Sequence, residues 1–301
     1  MLYIIKYNFN KGGFYVFIDF SNYELSNKFY GGSEKKIGIM INGFPYMLKF
    51  QKNTAFGKRN NHISEYIGSK IYNMLGVECQ QTYLGTYKGN YVVACKDFIT
   101  EGYQFVPFND IGESSIEENK EKYQYSYEDI IELLTRNKKI TNVDETVSSF
   151  FDIYIIDALL GNFDRHGANW GFLKKNNKYK LAPVFDNGSC LFSQLINEDE
   201  IKYIMENREE IEKRVYRFPT SQIKIDNKKS SYFEVISSLL FDECNKALER
   251  IYKRIDLEKI NKLIDEISII KEVHKKFYKM MIKERYEKII QYSYNKLKEG
   301  K

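Results

Sequence analysis

The chain has 301 residues, of which 43% are apolar, 29% charged and 16% aromatic. That balance excludes a disordered polymer and leaves room for one or two packed domains. The 46 Lys and Arg exceed the 41 Asp and Glu by only five, too few over this length to name nucleic acid as a direct partner. Four prolines cannot build a proline-rich linker. Cys79, Cys95, Cys190 and Cys244 show no C-x-x-C spacing and do not cluster with His62, His166 and His274. A structural zinc site is therefore not expected, and the thiols read as reduced ones in a cytoplasm. Met1 to Asn10 lacks the pattern of a secretory signal, and no apolar run reaches the ~18 residues that span a bilayer.

The first hundred residues turn often. Met1–Phe9, Phe14–Phe20, Lys36–Ile41 and Tyr46–Phe50 read as strands, and Asn42-Gly43 between two apolar runs is a hairpin signal. A helix is predicted over His62–Leu75, with Ile63, Ile67, Ile71 and Met74 as its stripe and Gly76 as its stop. Two more strands, Gln81–Tyr87 and Tyr91–Lys96, follow. From Glu101 to Lys122 the composition shifts to Gly, Ser, Glu and Asn, as expected of a connection between lobes. Beyond it, helical periodicity fills Tyr127–Asn137, Glu145–Leu160, Glu198–Arg217, Tyr232–Asp242 and Leu257–Leu297. A short β signal at Trp170–Lys174 and Tyr179–Leu181 interrupts it. The expected fold class is α+β, with an antiparallel β lobe carrying one helix over residues 1–99 and a mostly helical lobe over 100–301.

The segment Gly161-Asn162-Phe163-Asp164-Arg165-His166-Gly167-Ala168-Asn169 follows the apolar run Phe150–Leu160. Gly161 and Asn162 stop helices, so the polar cluster falls in a loop after a buried helix, a common place for catalytic groups. A hairpin turning at Asn176 and Asn177 would set Asn169 opposite Val184 and bring Asp186 within a few ångströms of Asn169. A carboxylate and an amide together suit a hard cation that also binds phosphate oxygens. Asp164 is left to orient or deprotonate a hydroxyl.

Between Lys35 and Val77 stand seven Lys or Arg residues and one acid, Glu65. Lys49 lies within an apolar strand and needs a partner. Glu65 is the available acid, although it falls off the Ile63–Ile67–Met74 stripe and so could flank the sheet rather than face it. A strand lysine paired with a helix glutamate is how protein kinases hold the α- and β-phosphates of ATP.

Asp164-Arg165-His166-x-x-Asn169, followed by Leu181-Ala182-Pro183-x-Phe185-Asp186, resembles the HipA-like serine/threonine kinases of bacteria, in particular the compact CtkA type. The same order is distantly similar to phosphatidylinositol 3/4-kinases. The resemblance implies a two-lobed protein-kinase-like fold, ATP and Mg²⁺ as cofactors, and γ-phosphoryl transfer to Ser or Thr hydroxyls. By it, Lys49 meets the phosphates, Asp164 is the catalytic base, and Asn169 and Asp186 are metal ligands. It implies a hinge for the adenine at Ala94–Phe98, with Lys96 and Phe98 beside the nucleotide. Gly31, Gly32 and Ser33 would form either a loop over the phosphates or a plain hairpin turn, and Ser33 is a candidate for autophosphorylation or otherwise a turn serine. His166 reads as a support for the loop, and Asp157 as a half-buried anchor for Arg165 or His166. A protein substrate, the chain itself and an antitoxin-like partner are the partners implied. The compartment is cytoplasmic, with export to another cell not readable. Asp186-Asn187-Gly188 stands where protein kinases have Asp-Phe-Gly, so no phenylalanine switch is expected. The alternatives are a lipid or small-molecule kinase on the same fold and a nucleotide-binding module without catalysis.

Overall fold

The structure, a computed structural model, describes residues 16–31, 35–55, 57–111, 125–225 and 228–300. The expected strand Met1–Phe9 lies outside them. Strands β1 (Phe17–Asp19), β2 (Lys36–Ile41) and β3 (Phe44–Phe50) come first, then a short ribbon, β4 (Asn53–Thr54) and β5 (Gly57–Lys58). Helix α1 (Asn61–Met74) and strands β6 (Thr82–Tyr87) and β7 (Asn90–Lys96) complete this part. The five-stranded sheet has the order β1-β6-β7-β3-β2. Asn42 and Gly43 both adopt positive φ and pair Ile41 directly with Phe44, as a two-residue hairpin requires.

Every pair in this sheet is antiparallel except β1 with β6, which is parallel. That corrects the expectation of an antiparallel sheet throughout. No tight turn joins β1 to its neighbour, and only a tight turn would have forced the antiparallel sense.

The alternation of β3 sorts its side chains. Tyr46, Leu48 and Phe50 pack with Ile39, Ile41 and Val92 on the outer face. Met47 and Lys49 point to the inner face. Helix α1 covers that inner face through Ile63, Ile67 and Ile71.

His62, on the first turn of α1, is buried with its Nδ1 unpartnered, and its ring stacks on Tyr91. Burial pushes its pKa down to about 3. The unfolded chain then binds a proton that the folded chain refuses, so stability falls as pH drops from about 6.5 toward 3. His62→Gln removes this component. Urea unfolding at pH 7 and pH 4 should show a smaller acid loss in the variant; equal losses would show that His62 takes up its proton without unfolding.

The connection at 101–122 is not plain coil. Strand β8 (Gln104–Pro107) and a turn of 3₁₀ helix (Phe108–Asp110) occupy its first part, and residues 112–122 lie outside the described ones. The strand escaped the sequence reading because it is four residues long, ends in proline and lies on a sheet edge.

The rest is mostly helical. Strand β9 (Tyr125–Ser126), α2 (Tyr127–Arg136), α3 (Val143–Leu160), β10 (Gly171–Lys175) and β11 (Lys178–Leu181) come first. Then come α4 (Glu198–Glu206), α5 (Arg208–Glu212), a π-helical turn (Lys213–Arg217), β12 (Thr220–Ile225) and β13 (Lys228–Ser231). Helices α6 (Tyr232–Ser238), α7 (Asp242–Tyr252), α8 (Leu257–Glu266) and α9 (Glu272–Arg285) follow, and a π-helical turn (Tyr286–Gln291) leads into α10 (Tyr292–Glu299).

Helix α3 is buried on all sides from Phe150 to Leu160, which is why it reads as a continuous apolar run rather than a stripe. Asn142 caps its start, and Gly161, at φ +62°, ends it in the left-handed conformation. The ribbon β12–β13 and helix α7 are differences from the sequence reading. The ribbon's three lysines, Lys224, Lys228 and Lys229, hide any alternation. The stripe Cys244, Ala247, Leu248 and Ile251 was a usable signal for α7. All four cysteines are free and buried, and among the described residues no helix is long and apolar enough to cross a membrane.

Candidate active site

A cleft of about 670 Å³ opens between the inner face of the five-stranded sheet and the loops that follow α3 and β11. Lys49, Glu65, Asp164, His166, Asn169, Asp186, Phe98 and Gly31 all line it. Gly32 and Ser33 lie outside the described residues. Lys96 does not face the cleft: it pairs with Tyr46 on the outer face of the sheet, and its amine lies 4.3 Å from the centre of the Phe44 ring.

The Lys49 Nζ donates to Glu65 Oε2 and to Asp186 Oδ1, each at 2.8 Å. Lys49 is 5% exposed and Glu65 1%, so Glu65 faces the strand rather than flanking the sheet. The apolar stripe misled because α1 is covered on nearly every side, with Ser64, Glu65 and Ser69 buried beside the isoleucines. Burial alone would push the Lys49 ammonium down; Asp186 and Glu65 outweigh it and hold its pKa well above the ordinary value. Lys49 in turn draws the Asp186 carboxyl below the usual range. The other Glu65 oxygen, Oε1, accepts the Asn187 amide at 3.0 Å. One carboxylate thus ties the strand lysine to the loop after β11.

That loop is held from below as well. Asp157, on α3, is fully buried rather than half-buried. It accepts from Arg165 Nε at 3.0 Å, Tyr72 Oη at 2.7 Å and Asn162 Nδ2 at 2.7 Å. His166 is not its partner. The Arg165 guanidinium goes on to donate to the carbonyl of Asn169 at 3.1 Å, the carbonyl of Phe185, and Asn187 Oδ1 at 2.6 Å. The hairpin β10–β11 pairs Phe172 with Leu181, its turn formed by Asn176 and Asn177 at positive φ. Val184 departs from the expected pairing with Asn169 and bridges to Cys79 instead. Arg165 spans the resulting gap, so Asn169 and Asp186 still share the cleft. Asp186 sits at φ +58°, a conformation uncommon for a residue with a side chain, and its side chain is 42% exposed. Gly68 is needed here: a Cβ on it would come within 2.8 Å of the Asn187 Cβ.

Asp164 is the carboxylate not committed to a buried cation. Its Oδ1 lies 3.6 Å from His166 Nε2. His166 Nδ1 accepts the Ala168 amide at 3.2 Å, which leaves the ring proton on Nε2, directed at Asp164. Burial raises the Asp164 carboxyl, with His166 opposing. The Asn169 amide nitrogen donates to the Asp164 carbonyl at 2.8 Å, leaving its Oδ1 free to face a cation. Asn169 Oδ1 and the remaining Asp186 oxygen therefore present two hard oxygen donors to one cleft, a fit for Mg²⁺ that also needs phosphate oxygens.

At the other end, Met47, Val93, Phe98, Phe105 and Phe185 line an apolar slot. The Phe98 and Phe185 rings are 5.5 Å apart, and those of Phe105 and Phe185 5.1 Å. Asp97 fixes the crossing strand: its amide donates to the Pro45 carbonyl at 2.9 Å, and its carboxylate accepts Tyr30 Oη at 3.0 Å and pairs with Lys28. Phe185 and Asn187 stand in the quoted motifs without a role assigned to them, and Lys52 and Arg59 are cleft residues that sequence reasoning did not single out. The excess of cations between Lys35 and Val77 was the available signal for the last two.

The HipA-like C-terminal domain pattern matches residues 29–268. The serine/threonine-protein kinase CtkA of Helicobacter pylori strain J99 is 39% identical over 91% of this chain and 86% of its own length. The crystal structure of a Helicobacter pylori proinflammatory kinase CtkA superposes with a TM-score of 0.86 at 37% identity, covering 94% of this chain and 98% of that one. HipA of Shewanella oneidensis, solved with HipB and operator DNA, superposes with a TM-score of 0.61 at 16% identity, over 91% of this chain and 68% of that one, a likeness of fold alone. The chain belongs to the family with the HipA-like C-terminal domain.

Proposed function

We propose that this chain is a serine/threonine protein kinase that moves the γ-phosphoryl group of ATP to a protein hydroxyl. The observation that carries this is one cleft in which Lys49, held by Glu65, faces Asp164, Asn169 and Asp186. Among the described residues, those up to 99 make the nucleotide-side lobe and those from 100 the acceptor-side lobe. The slot lined by Phe98, Phe105 and Phe185 takes the adenine, and Lys49 takes the phosphates. Asn169 and Asp186 hold Mg²⁺, which neutralises phosphate charge when bound. Asp164 accepts the proton of the acceptor hydroxyl. Ser33 is one such acceptor within the chain itself. Phosphoryl transfer asks mainly for positioning and charge stabilisation, and the buried Asp157–Arg165 pair supplies the rigidity this needs.

The deciding experiment incubates the protein with radiolabelled Mg·ATP and, in parallel, a protein mixture, lipid vesicles and a panel of small-molecule alcohols. Label on protein Ser or Thr supports the reading; label on lipid or small molecules alone would replace it with a kinase of another acceptor class. A second result is expected from Asp186→Ala. Calorimetry should show a loss of roughly tenfold or more in Mg·ATP affinity, with binding of metal-free ATP much less affected. Equal losses would remove Asp186 from the metal site.

A further inference from the structure

Strand β3 runs outward from the apolar slot. Tyr46 pairs with Lys96 at the hinge end, Lys49 with Val93, and Phe50 with Val92 at the far end. The chain then folds through the ribbon β4–β5 and returns, so that the Arg59 amide donates to the Lys52 carbonyl at 2.9 Å. Lys52 lies two residues beyond the end of β3, on the side away from the hinge. Lys52 and Arg59 both line the cleft at this end, with Asn61 and Ser193.

The backbone of this corner is pinned. The Lys52 amide donates to Asn61 Oδ1 at 3.0 Å, Asn61 Nδ2 to the Phe50 carbonyl at 3.0 Å, and Gln51 Nε2 to the Arg59 carbonyl at 3.3 Å. The guanidinium of Arg59 is not pinned. It makes no hydrogen bond or ion pair among the described residues, and its Nε is buried without a partner. Of the acids that line the cleft, Asp186 and Glu65 are held by Lys49 and Asp97 by Lys28, and Asp164 has His166 at 3.6 Å and no ion pair with Arg59 among the described residues. A guanidinium offers donors only, in a planar fork that matches a carboxylate. Leaving a buried donor unpaired is costly, so the site is built for an anion that arrives from outside. Lys49 already serves the nucleotide phosphates in this reading, and Lys52 and Arg59 line the same cleft beyond the end of β3.

We propose that Arg59, supported by Lys52, binds a carboxylate side chain of the acceptor polypeptide close to the Ser or Thr that receives phosphate. The enzyme therefore selects acidic acceptor sequences. This rests on the protein-kinase reading above and adds the substrate class to it.

The test uses the full chain and degenerate Ser/Thr peptide mixtures in which one flanking position is fixed as Glu or as Gln. Wild-type protein should favour at least one Glu mixture over its Gln counterpart by about tenfold in kcat/KM, the scale of one charge-assisted hydrogen bond. Arg59→Ala should bring that ratio close to one, Arg59→Lys should keep part of it, and Arg59→Glu should turn it toward a Lys-bearing mixture. A fall shared equally by the Glu and Gln mixtures, or a raised KM for ATP, would overturn the assignment and place Arg59 on the nucleotide. Fluorescence polarisation of the same peptides on protein loaded with a non-hydrolysable ATP analogue gives an arm independent of turnover. A preference for Glu that Arg59→Ala abolishes supports the subsite even if no peptide is phosphorylated, which would count against the kinase reading alone. No preference in either arm sinks the subsite.

Discussion

Asp164→Ala is expected to lower phosphoryl transfer by about 10²–10⁴-fold, the usual worth of a positioned base, while the affinity for Mg·ATP changes little. The structure supports this separation. The Asp164 carboxylate is bonded to neither Lys49 nor Arg165, and its nearest side-chain partner is His166 at 3.6 Å, so its loss leaves the Lys49–Glu65 and Arg165–Asp157 pairs standing. Asn169 would still find the Asp164 carbonyl, because that hydrogen bond is to the backbone. Single-turnover transfer and equilibrium nucleotide binding, measured on one preparation, check both halves. Near wild-type transfer would move the base elsewhere in the cleft. A parallel loss of ATP binding would make Asp164 a nucleotide or metal residue instead.

The second large effect is on stability. Asp157→Ala is expected to cost about 3–5 kcal/mol, because it strands the Arg165 guanidinium in the core. Arg165 is 6% exposed, and Asp157 beside it offsets the burial that disfavours its charge. Denaturant unfolding should show the midpoint fall sharply. Replacing both partners, Asp157→Leu with Arg165→Met, should restore much of that loss, since an apolar pair needs no compensating charge. Activity should remain low in the double variant, because Asn169, Phe185 and Asn187 would lose the group that holds them together. If the single substitution costs under about 1 kcal/mol, the pair is not the anchor described here.

The catalytic cluster was legible because its information is short in range. Asp164 and Asn169 lie five residues apart after one helix stop, and the hairpin turn at Asn176 and Asn177 brings Asp186 back by counting. Lys49 and Glu65 were legible as the one acid–base pair within an otherwise basic stretch. Lys96 was misplaced for a reason of parity. Whether it points into the cleft depends on its register against β3, and Lys96 pairs with Tyr46, an outward residue, rather than with Met47. No single strand carries that information. The span of Arg165 across three loop carbonyl and amide oxygens was hidden likewise, since Asn187 is twenty-two residues further on. Helix α3 was found by its apolar run, but its buried Asp157 looked half-exposed because a carboxylate within such a run is read by type before its partners are known.

The Arg165 span has a pharmacological consequence. To swing Asp186 out of the cleft, the protein would have to release the Asn187 amide from Glu65 and the Phe185 carbonyl and Asn187 side chain from Arg165 together. At about 1–3 kcal/mol for each bond to a charged group, an outward state would be a minor one. A compound that recognises only that state loses apparent affinity in proportion to its rarity. Inhibitors should accordingly be sought among shapes that fill the slot beside Phe98, Phe105 and Phe185 with the loop in place. Chemical series optimised to pry a flexible metal loop open elsewhere will transfer poorly to this protein.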